Sequence, residues 1–173
     1  MIVDIDPFDI ASLTAAEKRI RNLKESLPGK VNRIIDRLAI MGASEASLRF
    51  TTAQYDGDND VLVSLEPIPK GYSILAKGNA APFIEFGSGV YHNPGGTYPL
   101  PRPEGIAHIG EYGKGNGSKQ AWVYRGNVGT NGLPLKNGRV LTRGNPASMP
   151  LWYARESILR NIGNVAREEF SHD

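Results

Sequence analysis

The histidines and acids of the central segment are residue types that could bind a metal ion or take part in catalysis. His92, His108 and Glu111 lie within 20 residues of one another, and they carry donor atoms that zinc accepts. No HExxH or comparable spacing frames them, and glycine-rich surroundings would hold such ligands loosely. The sequence therefore favours solvated or interface histidines, and we expect no metal and no cofactor.

Two glycine-rich motifs and one acid could indicate catalysis. Ser88 lies in "FGSGV", but the G-x-S-x-G spacing is absent, and the preceding segment is typical of a helix where a nucleophile elbow needs a strand. The segment "GKGNGSK" lacks the order of a phosphate-binding loop. Glu85, at a helix-to-loop junction, has no partner for a general base and is interpreted as an exposed or capping acid. We expect no enzymatic activity.

Length and composition set the class of protein. The 173 residues include no cysteine, which excludes disulfides and thiolate metal sites, and the net charge is +2. We expect a single domain, 1–173, with an N-terminal extension at 1–12. No apolar run approaches the roughly 20 residues that span a bilayer, and the start of the chain is acidic, so we expect a soluble protein made in the cytoplasm.

The segment 87–146 differs from the rest of the chain in glycine content and charge. Fourteen of the 20 glycines lie between positions 87 and 144, together with seven Lys or Arg and two Glu, a net of +5. The remaining chain therefore carries 2 − 5 = −3. Since the segment has too little apolar content to bury itself, we predict a long arm that orders on a neighbouring subunit, on another acidic surface or on phosphate.

Apolar periodicity predicts a long N-terminal helix. "TAAE" offers a capping box at Thr14, and Leu13, Ile20, Leu23 and Leu27 form one apolar stripe. Pro28 and Gly29 interrupt that stripe, which then continues to Gly42, a natural C-cap. We predict one helix kinked near Pro28, or two helices that share an axis.

Period-two alternation follows the helix. Residues 48–51, 61–65 and 72–76 predict a three-stranded antiparallel meander. "NAAPFIEFG" predicts a short helix, "AWVYRG" a small strand that could join a sheet edge, and Ser148 and Pro150 the start of a last helix. The predicted class is α+β: a three- to four-stranded antiparallel sheet covered by a long N-terminal helix and a C-terminal helix, with one long Gly/Pro-rich protruding arm.

Two short segments carry a resemblance to a known family. "APFIEFGSG" resembles the segment "ah-x-hEFGTG", where h is apolar, and "NPASMPLWYA" resembles the segment "Pa-pFh-pA" that opens a last helix. Ser88 replaces the usual threonine, "MPLW" is not the commonest spelling, and the insert between the segments is long. In these motifs and in its order of elements, the chain resembles the tail-completion or tail-to-head joining proteins of long-tailed, lambda-like bacteriophages from about Leu13 to Phe170.

The resemblance implies a structural protein of the virion neck or tail, assembled in the host cytoplasm as a ring, with six subunits expected. Its implied partners are other copies, connector or stopper proteins, and the tail terminator or tail-tube protein; DNA would pass through the lumen without specific binding, and no membrane is involved. We expect the two motifs to lie side by side, with Phe83, Phe86, Met149 and Trp152 packing across the join. The expected inter-subunit or partner contacts are Glu85, Phe86, Gly87, Gly89, Tyr91, Arg102, Trp122, Tyr124, Arg125, Arg139, Arg143, Met149 and Trp152.

Other functions remain open at this stage. Within the same neck, the chain could be a tail terminator or a head-closure stopper ring. Outside it, the long segment could be the mobile lid of an enzyme. The basic and aromatic residues of that segment could also contact DNA, although they form no recognised motif.

Overall fold

The computed structural model describes residues 6, 8–96, 99, 109–110, 112–113 and 119–171. The predicted α+β class is confirmed. In chain order, the elements are α1 (Ile10–Thr52), β1 (Leu62–Ile68), β2 (Gly71–Lys77), α2 (Ala81–Phe86), β3 (Trp122–Arg125), β4 (Leu133–Leu135), a 3-10 turn (Lys136–Gly138), β5 (Arg139–Thr142) and α3 (Pro150–Ser171).

Helix α1 begins earlier than its predicted capping box. Asp9 is the N-cap, and its carboxylate accepts hydrogen bonds from the backbone N–H groups of Ala11 (2.9 Å) and Ser12 (3.3 Å). The Thr14 hydroxyl instead donates to the carbonyl of Ile10. The helix runs through Pro28 as one continuous element of 43 residues, about 65 Å long at 1.5 Å per residue.

The same helix also ends later than predicted, so two predictions are wrong. Gly42 is not a C-cap but an interior residue, and the predicted strand at 48–51 is the last turn of α1. A Cβ atom on Gly42 would lie 2.5 Å from Cδ1 of Ile158 and 2.8 Å from Cδ1 of Ile74. The glycine therefore allows close packing of α1 against α3 and β2. Helical geometry then places Phe50 in the core with only 1% of its surface exposed.

The strands form two small sheets instead of one meander. In the first, β1 and β2 make an antiparallel hairpin in which Leu65 faces Ile74. In the second, the order is β3-β5-β4, and both strand pairs are antiparallel. The strand predicted at "AWVYRG" is present as β3, but it pairs with β5 and not with the hairpin.

The described part of 87–146 packs against the preceding part of the chain. It contains the whole second sheet, and Thr130 donates its N–H to the carbonyl of Tyr55 at 2.9 Å. Gly110 likewise donates to the carbonyl of Phe86 at 2.7 Å. For these residues, the expectation of an arm that orders only on a partner does not hold, because backbone hydrogen bonds and turns compensate for the scarcity of apolar side chains.

Helix α3 lies antiparallel along the C-terminal part of α1. Arg37 pairs with Glu168 at 2.6 Å, and the buried Lys30 ammonium donates to the carbonyl of Glu169 at 3.2 Å. α3 therefore ends about level with Lys30, and the first five turns of α1 extend beyond it. The main apolar cluster lies at the other end of α1 and comprises Phe50, Ala80, Ala81 and Ile84.

Candidate assembly interface

Glu85 joins the two segments that carry the resemblance. Its carboxylate is buried, and it accepts hydrogen bonds from the backbone N–H groups of Leu151 at 2.9 Å and Trp152 at 3.2 Å. These are N–H groups of the first turn of α3, which have no partner within the helix. A carboxylate at this end also interacts favourably with the helix dipole. The cap is thus supplied by Glu85 and not by Ser148, whose N–H donates to the carbonyl of Ile84.

A polar clasp, which we define as Glu85, Ser88, Asn93 and Asn145, holds the two ends of the 87–146 segment together. Ser88 and Asn145 exchange two backbone hydrogen bonds of 2.9 and 2.8 Å. The Asn93 amide donates to the carbonyls of Gly89 (3.0 Å) and Asn145 (2.9 Å), and its oxygen accepts from the N–H of Ala147 (2.9 Å). The expectation that the two motifs lie side by side is therefore confirmed.

Gly87 and Gly89 provide the backbone shape that the clasp needs. Their φ angles are +73° and +84°, in the left-handed region that favours glycine. A Cβ on Gly87 would lie 2.7 Å from the backbone nitrogen of Ala147, and one on Gly89 would lie 2.8 Å from the carbonyl oxygen of Arg143. Glycine at both positions therefore lets the chain leave α2 close to the backbone of the second motif.

Asp56 anchors the second sheet to the clasp. The carboxylate accepts from the Thr142 hydroxyl at 2.5 Å and from the N–H of Asn131 at 2.7 Å. Its own N–H donates to the side-chain oxygen of Asn145 at 2.7 Å. Asp56, Thr142 and Asn145 are all buried. Because each buried polar group here has a partner, the network fixes the position of the sheet.

The aromatic residues of the first motif make ring contacts with two tyrosines outside both motifs. The structure shows ring contacts of Phe83 with Tyr55 (6.4 Å between centroids) and Tyr112 (4.7 Å), and of Phe86 with Tyr112 (6.4 Å). Trp152 is half-buried and has the Arg155 guanidinium 5.3 Å from its ring centroid. Met149 adopts a φ of +48° immediately before α3, and its carbonyl accepts from the N–H of Tyr153.

Several predicted contact residues are accessible on the surface. Tyr91 is 48% exposed, and the Arg143 guanidinium lies 4.5 Å from its ring centroid. Arg125 and Arg139 are exposed and directly opposite each other in the β3–β5 pair. Like charges in such a pair repel each other. This face of the second sheet would therefore be favourable for an anionic partner.

Trp122 and Tyr124 alternate with Val123 and Arg125 along β3, so the two aromatic rings lie on the opposite face of the strand. Both rings are half-buried and line a cavity between the sheet and the body. Arg102, the remaining predicted contact residue, lies outside the described residues. His108 and Glu111, two of the three residues considered above as zinc ligands, also lie outside them. Within the part of the chain that the structure describes, no group of three acidic or histidine side chains could hold a metal ion.

An exposed apolar stripe on α1 is a feature that sequence reasoning found but did not assign to the surface. Leu13, Ile20 and Leu27, spaced seven residues apart on one face, are 44%, 57% and 42% exposed. The clasp residues Asn93 and Asn145 and the anchor Asp56 were missed altogether. Each lies in a turn-forming segment with no periodic pattern, so no local signal singled them out.

Comparison with known proteins identifies no relative. No protein-family model matches the chain, and neither a curated protein nor a solved structure gives a significant match. None of the helices in the described residues has the length and hydropathy needed to cross a bilayer.

Proposed function

We propose that this chain is a structural virion protein of a bacteriophage neck or tail, a tail-completion protein whose ring joins the tail to the head connector. The phage assignment is supported by the resemblance of "APFIEFGSG" and "NPASMPLWYA" to that family. The contact between these two segments adds support, because Glu85 of the first caps the helix that the second begins. They thus act as one structural unit.

The exposed stripe on α1 is the observation that carries the assembly role. Leu13, Ile20 and Leu27 continue the apolar periodicity of a helix whose later turns are covered by α3, yet they extend beyond the end of α3. Three large apolar side chains aligned at heptad spacing are typical of a face that packs on another helix. We infer that this face packs against the next copy in a head-to-tail ring, which can close when the rotation between subunits permits.

A matched pair of variants on α1 tests this role. Ile20→Glu places a charge in the stripe, whereas Asn22→Glu places the same charge on the opposite side of the same exposed helix. We expect the wild type and Asn22→Glu to form a ring, measured by native mass spectrometry with and without tail-tube protein, and Ile20→Glu to remain monomeric. All three should have similar melting temperatures, since both positions are exposed. A monomeric wild type under both conditions, or a ring unchanged by Ile20→Glu, would contradict the proposal.

The position of the ring within the neck needs a separate experiment. A tail-completion protein contacts both the connector side and the tail side, whereas a terminator or stopper ring has different neighbours. Cryo-electron microscopy of assembled particles would show which proteins the ring touches. Contact with the tail on one side and the head connector on the other is the expected result.

A further inference from the structure

A cavity of about 270 Å³ lies between the second sheet and the loop that follows α1. Its walls include the aromatic side chains of Tyr55, Phe83, Trp122 and Tyr124. We call it the aromatic cavity. Drug-sized ligands occupy pockets of roughly 300–1,000 Å³, so this volume is better suited to one side chain or a similarly small group.

Two carboxylates give the aromatic cavity its charge. Asp56 is buried in the lining, and Asp58 is exposed at its edge. The Asp56 carboxylate accepts one hydrogen bond on each oxygen, from Asn131 and Thr142, so each oxygen retains a lone pair for a further donor. Asp58 accepts from the Asn127 amide.

Arg125 also lines the cavity, but within the described residues neither Asp56 nor Asp58 forms an ion pair with it. Arg125 is exposed and alternates with Trp122 and Tyr124 on β3, so strand geometry directs its side chain to the other face of the sheet. The pKa of Tyr124 is raised by burial and by the nearby charges of Asp56 and Asp58. The pKa of Tyr55 is raised by burial and by the charges of Asp60, Asp58 and Asp56. Both shifts are consistent with a negative potential in the cavity.

We propose that the aromatic cavity binds a cationic side chain, the guanidinium of an arginine or the ammonium of a lysine, presented by another polypeptide. Aromatic faces attract such a cation through their quadrupoles, and the carboxylates of Asp56 and Asp58 supply hydrogen-bond acceptors and opposite charge. The inference goes beyond the ring proposal, because a single chain should bind the free ligand whether or not it assembles. A second copy is one source of such a side chain, since Arg125 and Arg139 are exposed on the opposite face of the same sheet.

The experiment is an NMR titration of the Trp122 indole N–H with N-acetyl-arginine amide at constant ionic strength. The indole signals of Trp122 and Trp152 are assigned with the variant Trp152→Phe. We expect saturable binding with a Kd of roughly 1–10 mM, as suits one side chain in a small site. N-acetyl-citrulline amide, which has nearly the same shape but no charge, should bind at least about tenfold more weakly.

Two variants make the test specific. Asp58→Asn should weaken binding of the arginine derivative by roughly threefold to tenfold, because it removes one of the two charges facing the ligand. Glu25→Gln removes the same charge on the exposed part of α1 and should leave the affinity unchanged. Equal binding of the citrulline derivative, no saturation by roughly 100 mM, or an unchanged affinity of Asp58→Asn would overturn the proposal.

The source of the side chain is resolved by dilution. If a second copy supplies it, the Trp122 signal of the ligand-free protein should shift as the protein is concentrated, and Arg125→Gln or Arg139→Gln should abolish that shift. If another protein supplies it, the signal should not depend on protein concentration while the arginine derivative still binds. A ring that forms without any binding of the arginine derivative would overturn the cavity proposal and leave the ring proposal intact.

Discussion

The two halves of helix α1 carry similar apolar periodicity but have different surroundings. From Lys30 to Thr52, the helix is covered by α3 and the β1–β2 hairpin, and Phe50 is 1% exposed. From Ile10 to Gly29, Ile20 on the apolar stripe is 57% exposed. The difference shows that a regular apolar pattern specifies a face to be covered but does not specify what covers it. The contrast concerns one face of each half, since Ala16 in the first half is 5% exposed and Ile40 and Leu48 in the second are 58% and 61% exposed.

The largest expected effect on stability comes from truncating one large apolar side chain in each half of α1. Phe50→Ala should lower the free energy of unfolding by about 3–5 kcal/mol, since it leaves a cavity in the main apolar cluster. Ile20→Ala should change that free energy by less than about 0.5 kcal/mol in the monomer. Chemical denaturation of both variants at low protein concentration provides the measurement. Comparable losses would mean that the first half of α1 is also covered within the subunit.

Glu85 of the clasp caps α3, the helix that packs against the covered half of α1. Glu85→Gln keeps the shape of the side chain but replaces one acceptor oxygen of the buried carboxylate with a donor group, next to the N–H groups of Leu151 and Trp152. We expect a loss of roughly 1–3 kcal/mol in the free energy of unfolding, measured by denaturant titration. Glu156→Gln, on the partly exposed first half of α3, is the control. A neutral result for Glu85→Gln would show that the cap is dispensable.

Two glycines of α1 provide a comparison within one helix. Gly42→Leu should destabilise by roughly 1–3 kcal/mol, because its side chain would overlap Ile158 and Ile74. Gly29→Ala should stabilise by about 0.5–1 kcal/mol, since alanine favours the helix and the nearest atom to its Cβ, on Arg33, is 3.6 Å away. Thermal unfolding of both variants tests the signs. Two destabilising changes would indicate that the exposed half is tightly packed as well.

The smallest expected effect is a pH dependence from Asp60, an exposed residue in the loop between α1 and β1. Backbone N–H groups of Ala80 and Asn79 lower the pKa of Asp60 below its ordinary value of 3.8. A lowered folded-state pKa contributes stability that is present above the unfolded-state pKa and is lost as the pH falls through the folded-state value. The melting temperature of Asp60→Asn should therefore lie below that of the wild type at pH 7, and the gap should narrow below about pH 4.

Glu25→Gln, on the exposed half of α1, removes one charge without touching the Asp60 hydrogen bonds and serves as the control for that experiment. Its melting temperature should differ little from that of the wild type at pH 7. If the gap between wild type and Asp60→Asn stays constant across this pH range, the carboxylate of Asp60 does not stabilise the fold through its charge.

The local sequence predicted where helices and strands form better than it predicted which of them pack or pair with each other. The position of α2, the strand at β3 and the start of α3 near Pro150 follow from proline, glycine and apolar spacing. The segment 48–51 was misassigned because Leu48 and Phe50 alternate with Arg49 and Thr51, a pattern compatible with a strand and with one turn of helix. In the structure this segment is helical, and Phe50 packs against α2. Gly42 was misread for a similar reason: glycine is common both at helix ends and at close helix contacts.

The candidate site was predicted unevenly. The proximity of the two motifs followed from the sequence. The residues that hold them together did not, because Asn93 and Asp56 form hydrogen bonds with Asn145 across 52 and 89 positions of the chain. No periodic pattern marks such residues, since their partners are determined only when the chain has folded.

By itself, the sequence determined the α+β class, the long amphipathic helix and the glycine-rich character of 87–146, because local conformational preferences and apolar spacing act over a few residues. Only the tertiary structure decided which face of α1 is covered, that the described part of 87–146 forms a sheet against the body, and that Glu85 caps α3. These outcomes depend on burial and hydrogen bonding between residues far apart in the chain, which become favourable only once the fold brings them together.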